Sequence, residues 1–179
     1  MEFALREARP SDVAAISELI AASVRGLAPG IYDDRQIELS IRSVFGVDHQ
    51  LIEDGTYFVA EADSRIVGCG GWSKRKTLFG ASGYGVSRDP QELDPKVDAA
   101  KIRAFFIHPS AARKGVGRAI LRRCEDEAAA AGFRKTEMMA TLPGVPLYAA
   151  CGYEKAESVA VPVGEGIEIE CIRMHKQLI

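Results

Sequence analysis

The chain lacks any apolar run long enough to cross a bilayer, although 47% of its 179 residues are apolar. Its first residues, Met1-Glu2-Phe3-Ala4, lack the basic and apolar stretches of an export signal, so a cytoplasmic protein is expected. It has no surplus of positive charge: 23 Lys and Arg stand against 25 Asp and Glu, for a net charge of -2. That balance argues against nucleic acid as a main partner, because phosphate-backbone binding needs a broad basic surface. The three histidines, His49, His108 and His175, are scattered and give no zinc-ligand spacing. None of the four cysteines, Cys69, Cys124, Cys151 and Cys171, stands in a Cys-x-x-Cys pair. They fall in strand-like and helix-like stretches and read as small buried apolar residues of a reducing compartment. No internal repeat, low-complexity tract or linker divides the chain, so residues 1–179 read as one domain with one core and no resident metal.

What is present is a succession of short periodic segments. Residues 3–7 alternate like a first strand, and Ser11-Asp12 offers a cap for a helix carrying Val13, Ile16, Leu19 and Ile20 on one face. A second helix begins at Asp33 or Asp34, carries Ile37, Ile41, Val44 and Phe45, and is ended by Gly46. Residues 56–62 and 65–73 are strand-like, and the polar pair Asp63-Ser64 between them reads as a hairpin turn. Gly68, Gly70 and Gly71 weaken the second of these strands and mark a bulge or a close approach by another group. Trp72, just beyond, suits the core and a pocket wall equally. Residues 75–100 are rich in glycine, proline and charge without a sustained period, and read as a long lid or loop.

The most informative stretch follows. Ala104-Phe105-Phe106-Ile107-His108-Pro109 is a strand that leads into Arg113-Lys114-Gly115-Val116-Gly117-Arg118, the glycine-bearing opening of a helix. That helix carries Ile120, Leu121, Cys124 and Ala128 at helical spacing and stops at Gly132. A helix N-terminus holds unpaired NH groups and partial positive charge, which makes it a place for phosphate. The basic residues Lys114, Arg118, Arg122 and Arg123 crowd this end, while Glu125, Asp126 and Glu127 lie further along. That order opposes the helix dipole unless an anion sits at the N-terminus. The nucleotide-binding P-loop is excluded because Gly117 is followed by Arg118-Ala119. The dinucleotide fingerprint is excluded because Ile120 stands where its third small residue belongs.

The run Ala112-Arg113-Lys114-Gly115-Val116-Gly117 resembles the phosphate-binding signature of the GCN5-related N-acetyltransferases, departing from it in having Ala112 at the first position. A second run, Pro146-Leu147-Tyr148-Ala149-Ala150-Cys151-Gly152-Tyr153-Glu154, resembles the short helix with Tyr-x-x-x-Gly-Tyr of the same family, and the order of elements along the chain is similar throughout. The resemblance implies an α/β fold, the GNAT acyl-CoA N-acyltransferase fold, with a central, mostly antiparallel mixed sheet of about seven strands flanked by about four helices. It implies acetyl-CoA as cosubstrate, bound by Arg113, Lys114, Gly115, Val116, Gly117 and Arg118 at its pyrophosphate. The backbone of Phe105, Phe106 and Ile107 would hold the pantetheine arm and the developing oxyanion. Tyr148 would donate a proton to the departing sulfur. The first two helices would form a wall of the acceptor pocket or serve only as packing.

The resemblance leaves other roles open. Glu137, on the strand between the two motifs, is a candidate base through a pKa raised by burial. His108 and Glu61 are alternatives, as is a water chain to solvent. Thr141 stands where many relatives carry a cofactor-contacting asparagine. The expected reaction is direct acetyl transfer to a primary amine of a small molecule or peptide. The rivals are a non-catalytic acyl-CoA sensor and an acyltransferase using longer acyl chains. A hairpin from about Glu154 to His175 could pair across a homodimer. Neither nucleic acid nor membrane is expected as a partner.

Overall fold

The computed structural model describes residues 1–78 and 89–178. Its strands β1 (Ala4–Glu7), β2 (Tyr57–Ala62), β3 (Arg65–Ser73), β4 (Ala100–Ile107), β5 (Lys135–Thr141), β6 (Glu154–Gly164) and β7 (Ile167–Gln177) form one seven-stranded sheet. The spatial order is β1-β2-β3-β4-β5-β7-β6. Every neighbouring pair is antiparallel except β4 and β5, so the expected mixed, mostly antiparallel sheet is found. The helices are α1 (Val13–Leu27), α2 (Asp34–Ser43), α3 (His49–Glu53), α4 (Val116–Ala130) and α5 (Val145–Ala150). The helix beyond the expected four is α3. It is too short to leave a periodic signal, and it is held by Asp48, whose side chain accepts from the Leu51 amide at 3.2 Å.

Local chemistry accounts for most boundaries. Asp63 and Ser64 both adopt positive φ (49° and 60°), the geometry of a two-residue turn whose twist matches the strands it joins. Asp33 and Gln36 make a reciprocal capping box that starts α2, with bonds of 2.8 and 2.9 Å. That helix ends at Ser43, before Gly46 is reached. Pro10–Asp12 form a 3-10 turn, and Asp12 is drawn to Arg6 at 2.8 Å instead of capping α1.

Strand alternation divides the core between the two faces of the sheet. On one face α4 packs its Val116, Ile120, Leu121 and Cys124 against Phe58, Val67 and Trp72. On the other, α1, α2 and α3 bring Ile16, Ile20, Ile37 and Leu51 onto Tyr57, Val59 and Cys69. Trp72 belongs to the core: its ring meets Phe133 edge-on and its Nε1 donates to Glu127 at 3.2 Å. The stretch before β4 is tied at both described ends, through Lys76 N to Gln91 O at 3.0 Å and Leu93 N to Lys74 O at 2.7 Å. Residues 79–88, the middle of the expected lid, lie outside the described residues. No helix among the described residues is long and apolar enough to cross a membrane.

Candidate active site

The parallel strands β4 and β5 pair only through Ala100 with Thr136 and Lys101 with Glu137, and beyond that point they part. Where β4 leaves its neighbour it is also bulged. Ala104 and Phe105 together oppose Gly70 of β3, and Ala104 takes a left-handed conformation (φ 59°). The bulge has two supports. The Tyr57 hydroxyl, completely buried beneath the sheet, reaches the Ala104 carbonyl at 3.2 Å and lies 3.3 Å from Cys69 Sγ. The Phe105 ring lies so close over Gly70 that a Cβ there would meet it at 2.5 Å, which explains this glycine as the close approach expected of the run 68–71.

Between the parted strands lies a cavity of about 80 Å³. Ile102 to Phe106 of β4 form one side and Met138, Met139 and Thr141 of β5 the other. Val44 and Phe45 after α2, Val161 of β6, and Ile169 and Cys171 of β7 close the far face. Tyr148 of α5 stands at the cavity with its ring edge-on to Phe105 at 6.1 Å. Its hydroxyl has no protein hydrogen-bond partner among the described residues. Burial pushes its pKa well above the ordinary phenol value, so it carries its proton at neutral pH.

At the top of β4 the chain makes a short turn, Pro109–Ala111, then passes through Arg113 and Gly115, both at positive φ (59° and 86°), before α4 begins at Val116. Arg113, Lys114 and Arg118 are exposed and form no ion pair among the described residues, whereas Arg123 pairs with Glu127 at 2.7 Å. Gly115 needs its left-handed angle, and a Cβ there would meet nothing within 4 Å. An exposed NH-bearing turn with unmatched cations fits a diphosphate. Gly117 has a different reason from the one read in the sequence. It is buried, and a Cβ would meet Leu147 at 2.8 Å, so it lets α5 approach α4.

Two further sequence expectations are corrected. Phe105, Phe106 and Ile107 do not all offer their amides to the cleft. Phe106 stands in register with Cys69 of β3, on the side away from the cleft, and the Ile107 NH donates to Ser23 Oγ of α1 at 3.2 Å. Successive NH groups of a strand point to opposite edges, so three in a row never face one ligand. Glu137 does not have a raised pKa. Burial pushes it upward, but hydrogen bonds from Lys101 and Arg173, the latter at 2.7 Å, outweigh burial and hold it below the usual carboxylate range. It sits at the point where the strands part, outside the cavity lining.

The other candidate bases are engaged elsewhere. His108 Nδ1 accepts from Ser110 N at 3.2 Å and caps its own turn, and Glu61 is bound to Arg6 at 3.0 Å on β2. Of the first two helices, expected as one wall of the pocket or as packing, the segment after α2 lines the cavity, whereas α1 serves β4 through Ser23. The sequence gives no sign of Arg103, Met139, Val161, Ile169 and Cys171 as lining. Their contribution comes from strands that only the folded sheet brings to one face. Arg103 is 5% exposed, with Nε 3.0 Å from Asp48 Oδ2 and its Nη1 donating to Thr77 O at 2.8 Å.

Residues 26–153 match the sequence model of the Acetyltransferase (GNAT) family. No curated protein sequence matches the chain at a significant level. Among solved structures it is similar to a GCN5-related N-acetyltransferase of Rhodopseudomonas palustris, at 19% identity and a TM-score of 0.72 over 99% of this chain and 96% of that one. It is similar to the PaiA N-acetyltransferase of Thermoplasma acidophilum, solved with coenzyme A, at 16% identity and a TM-score of 0.67 over 99% of each chain. A third, yncA of Salmonella typhimurium, described as a putative acetyltransferase with its cofactor acetyl-CoA, shares 18% identity and a TM-score of 0.63 over 100% of this chain and 95% of that one. At these identities the likeness is one of fold. The family match covers most of the chain, from α1 through the cradle to Tyr153, and the chain therefore belongs to the Acetyltransferase (GNAT) family.

Proposed function

We propose that this protein moves the acetyl group of acetyl-CoA directly onto a primary amine. The observation that carries the reading is the parting of β4 from β5 beside an α4 N-terminus whose cations are unmatched. A separated strand edge receives an extended pantetheine arm by main-chain pairing, and Arg113, Lys114, Arg118 and the turn at Gly115 receive the diphosphate. The amide of Phe105, in the bulge, is the one assigned to the developing oxyanion, since that of Ile107 donates to Ser23 and Phe106 stands in register with Cys69 of β3.

The amine nitrogen forms a C–N bond to the thioester carbon as the C–S bond breaks. Its surplus proton leaves to solvent, and the Tyr148 phenol protonates the thiolate and is then reprotonated from water. Glu137 is assigned to holding the strands together and not to proton removal.

The test combines calorimetry of acetyl-CoA binding with thiol release over a panel of amines. Binding together with amine-dependent release is the expected result. Binding without release from any amine favours a sensor, and stronger binding of longer acyl-CoA esters favours another acyl donor. Tyr148→Phe should lower kcat by about a hundredfold, within the range of general acids, and leave acetyl-CoA affinity within about twofold. An unchanged kcat removes the hydroxyl from the mechanism.

A further inference from the structure

The acceptor side of the cavity has a distinctive chemistry. Phe45 and Phe106 meet edge-on at 5.7 Å, and Met139, Val161 and Ile169 continue the apolar wall. The one charged lining residue among those described is a cation, Arg103. Asp48, the carboxylate beside it, is matched by Arg103 itself, and Glu137, outside the lining, is held by Lys101 and Arg173. The thiol of Cys171, also in the lining, is pushed by burial up to about 11 and stays neutral.

From this lining we infer that the acceptor is a monoamine with an apolar body, and that polyamines and other dications are disfavoured. The inference rests on the acetyl-transfer reading above. A wall of aliphatic and aromatic carbon gains free energy from covering apolar surface and offers nothing to a second ammonium, whose desolvation goes uncompensated. The reacting amine must in any case arrive neutral. With no carboxylate among the described lining residues, the neutral form of that nitrogen is favoured, because its charged form loses hydration on entry and meets a guanidinium whose charge Asp48 already balances. This arrangement supplies what a dedicated base would otherwise supply, since Glu137, His108 and Glu61 lie outside the lining and are held by other partners.

A matched pair of acceptors tests it: pentylamine and 1,5-diaminopentane, which differ only in a terminal methyl against a terminal methylammonium. Thiol release from acetyl-CoA, with amide product confirmed by mass spectrometry, should give pentylamine a kcat/KM at least about tenfold higher. Thr141→Asp, which places a carboxylate in the lining with little change of volume, should shrink that ratio severalfold by improving the diamine. An equal or higher kcat/KM for the diamine with the unaltered protein overturns the inference and leaves acetyl transfer standing. No release with either amine, while another amine of the panel gives release, overturns the inference alone; no release from any amine of the panel overturns both readings. A Thr141→Asp protein with an unchanged ratio removes lining charge as the cause and overturns the inference as well.

Discussion

Ala104 holds a backbone conformation that costs an ordinary residue about 1 kcal/mol, at the place where β4 turns its edge from β3 toward the cleft. Tyr57 is the polar group placed to hold it there. Tyr57→Phe keeps the ring and removes the donor, leaving the Ala104 carbonyl with only a long contact to the Cys69 thiol at 3.7 Å. Denaturation should show a loss of about 1–2 kcal/mol. Because the bulge orients the Phe105 amide, kcat should fall more than KM rises, whereas an effect on stability alone would mean that the hydroxyl is only structural. Glu137→Gln makes the opposite separation. Lys101 is 8% exposed and loses its partner, so stability should drop by about 3 kcal/mol, while kcat of the folded enzyme at saturating amine should change by less than about threefold. A collapse of kcat at unchanged stability would restore Glu137 as the base. At this scale the sequence is a partial guide. Tyr148 could be picked out by its motif, but Glu137 was misjudged because its two cations come from β4 and β7, distant in sequence and adjacent only in the sheet.

Among the elements, α4 is built for two tasks along its length. Its buried stripe fits β3 closely, and a Cβ on Gly68 would meet Val116 at 2.7 Å and Ile120 at 3.2 Å. Its first turn and the residues just before it carry charge with no ion-pair partner among the described residues. Replacing Arg113, Lys114 and Arg118 together by Ala should weaken acetyl-CoA binding by at least about tenfold, and the wild-type affinity should fall with added salt more steeply than that of the variant. Equal salt slopes would disconnect these side chains from the diphosphate. The helix removes unfavourable charge from its own N-terminus by this change, so its thermal stability should hold or rise. This element was the most legible in the sequence, from the strand before it to Gly132 after it, because period, glycine placement and charge order all agree. The reason for Gly117 was not legible. It depends on Leu147 of α5, which no local pattern connects to the cradle.

For the whole molecule, paired carboxylates set the response to acid. Arg6 holds Asp12, and Arg75 holds Asp54, below the usual carboxylate range, and at Glu137 burial is outweighed by Lys101 and Arg173 with the same result. A native value below the unfolded one stabilises the fold above the unfolded pKa of about 4 and is lost as the pH falls through the native value. Unfolding free energy measured by denaturant should therefore be level between about pH 7 and pH 5 and decline below about pH 4. A stability that rises on acidification would contradict these pairings. The overall architecture was legible through the resemblance carried by the two motifs and by the order of elements along the chain. The line along which the sheet divides was not, since hydropathy is the same whether two parallel strands stay paired or part.

That division has a consequence for how the protein behaves as a material. Two slabs, β1 to β4 and β5 to β6, share main-chain pairing only along one short seam at Ala100–Lys101 and Thr136–Glu137, with the Lys101–Glu137 ion pair as its rivet. A wedge driven between them meets little resistance from broken main-chain bonds, because those bonds were never made. The molecule thus comes with its opening already cut, and whatever fills it acts as the missing strut that stiffens both halves against each other.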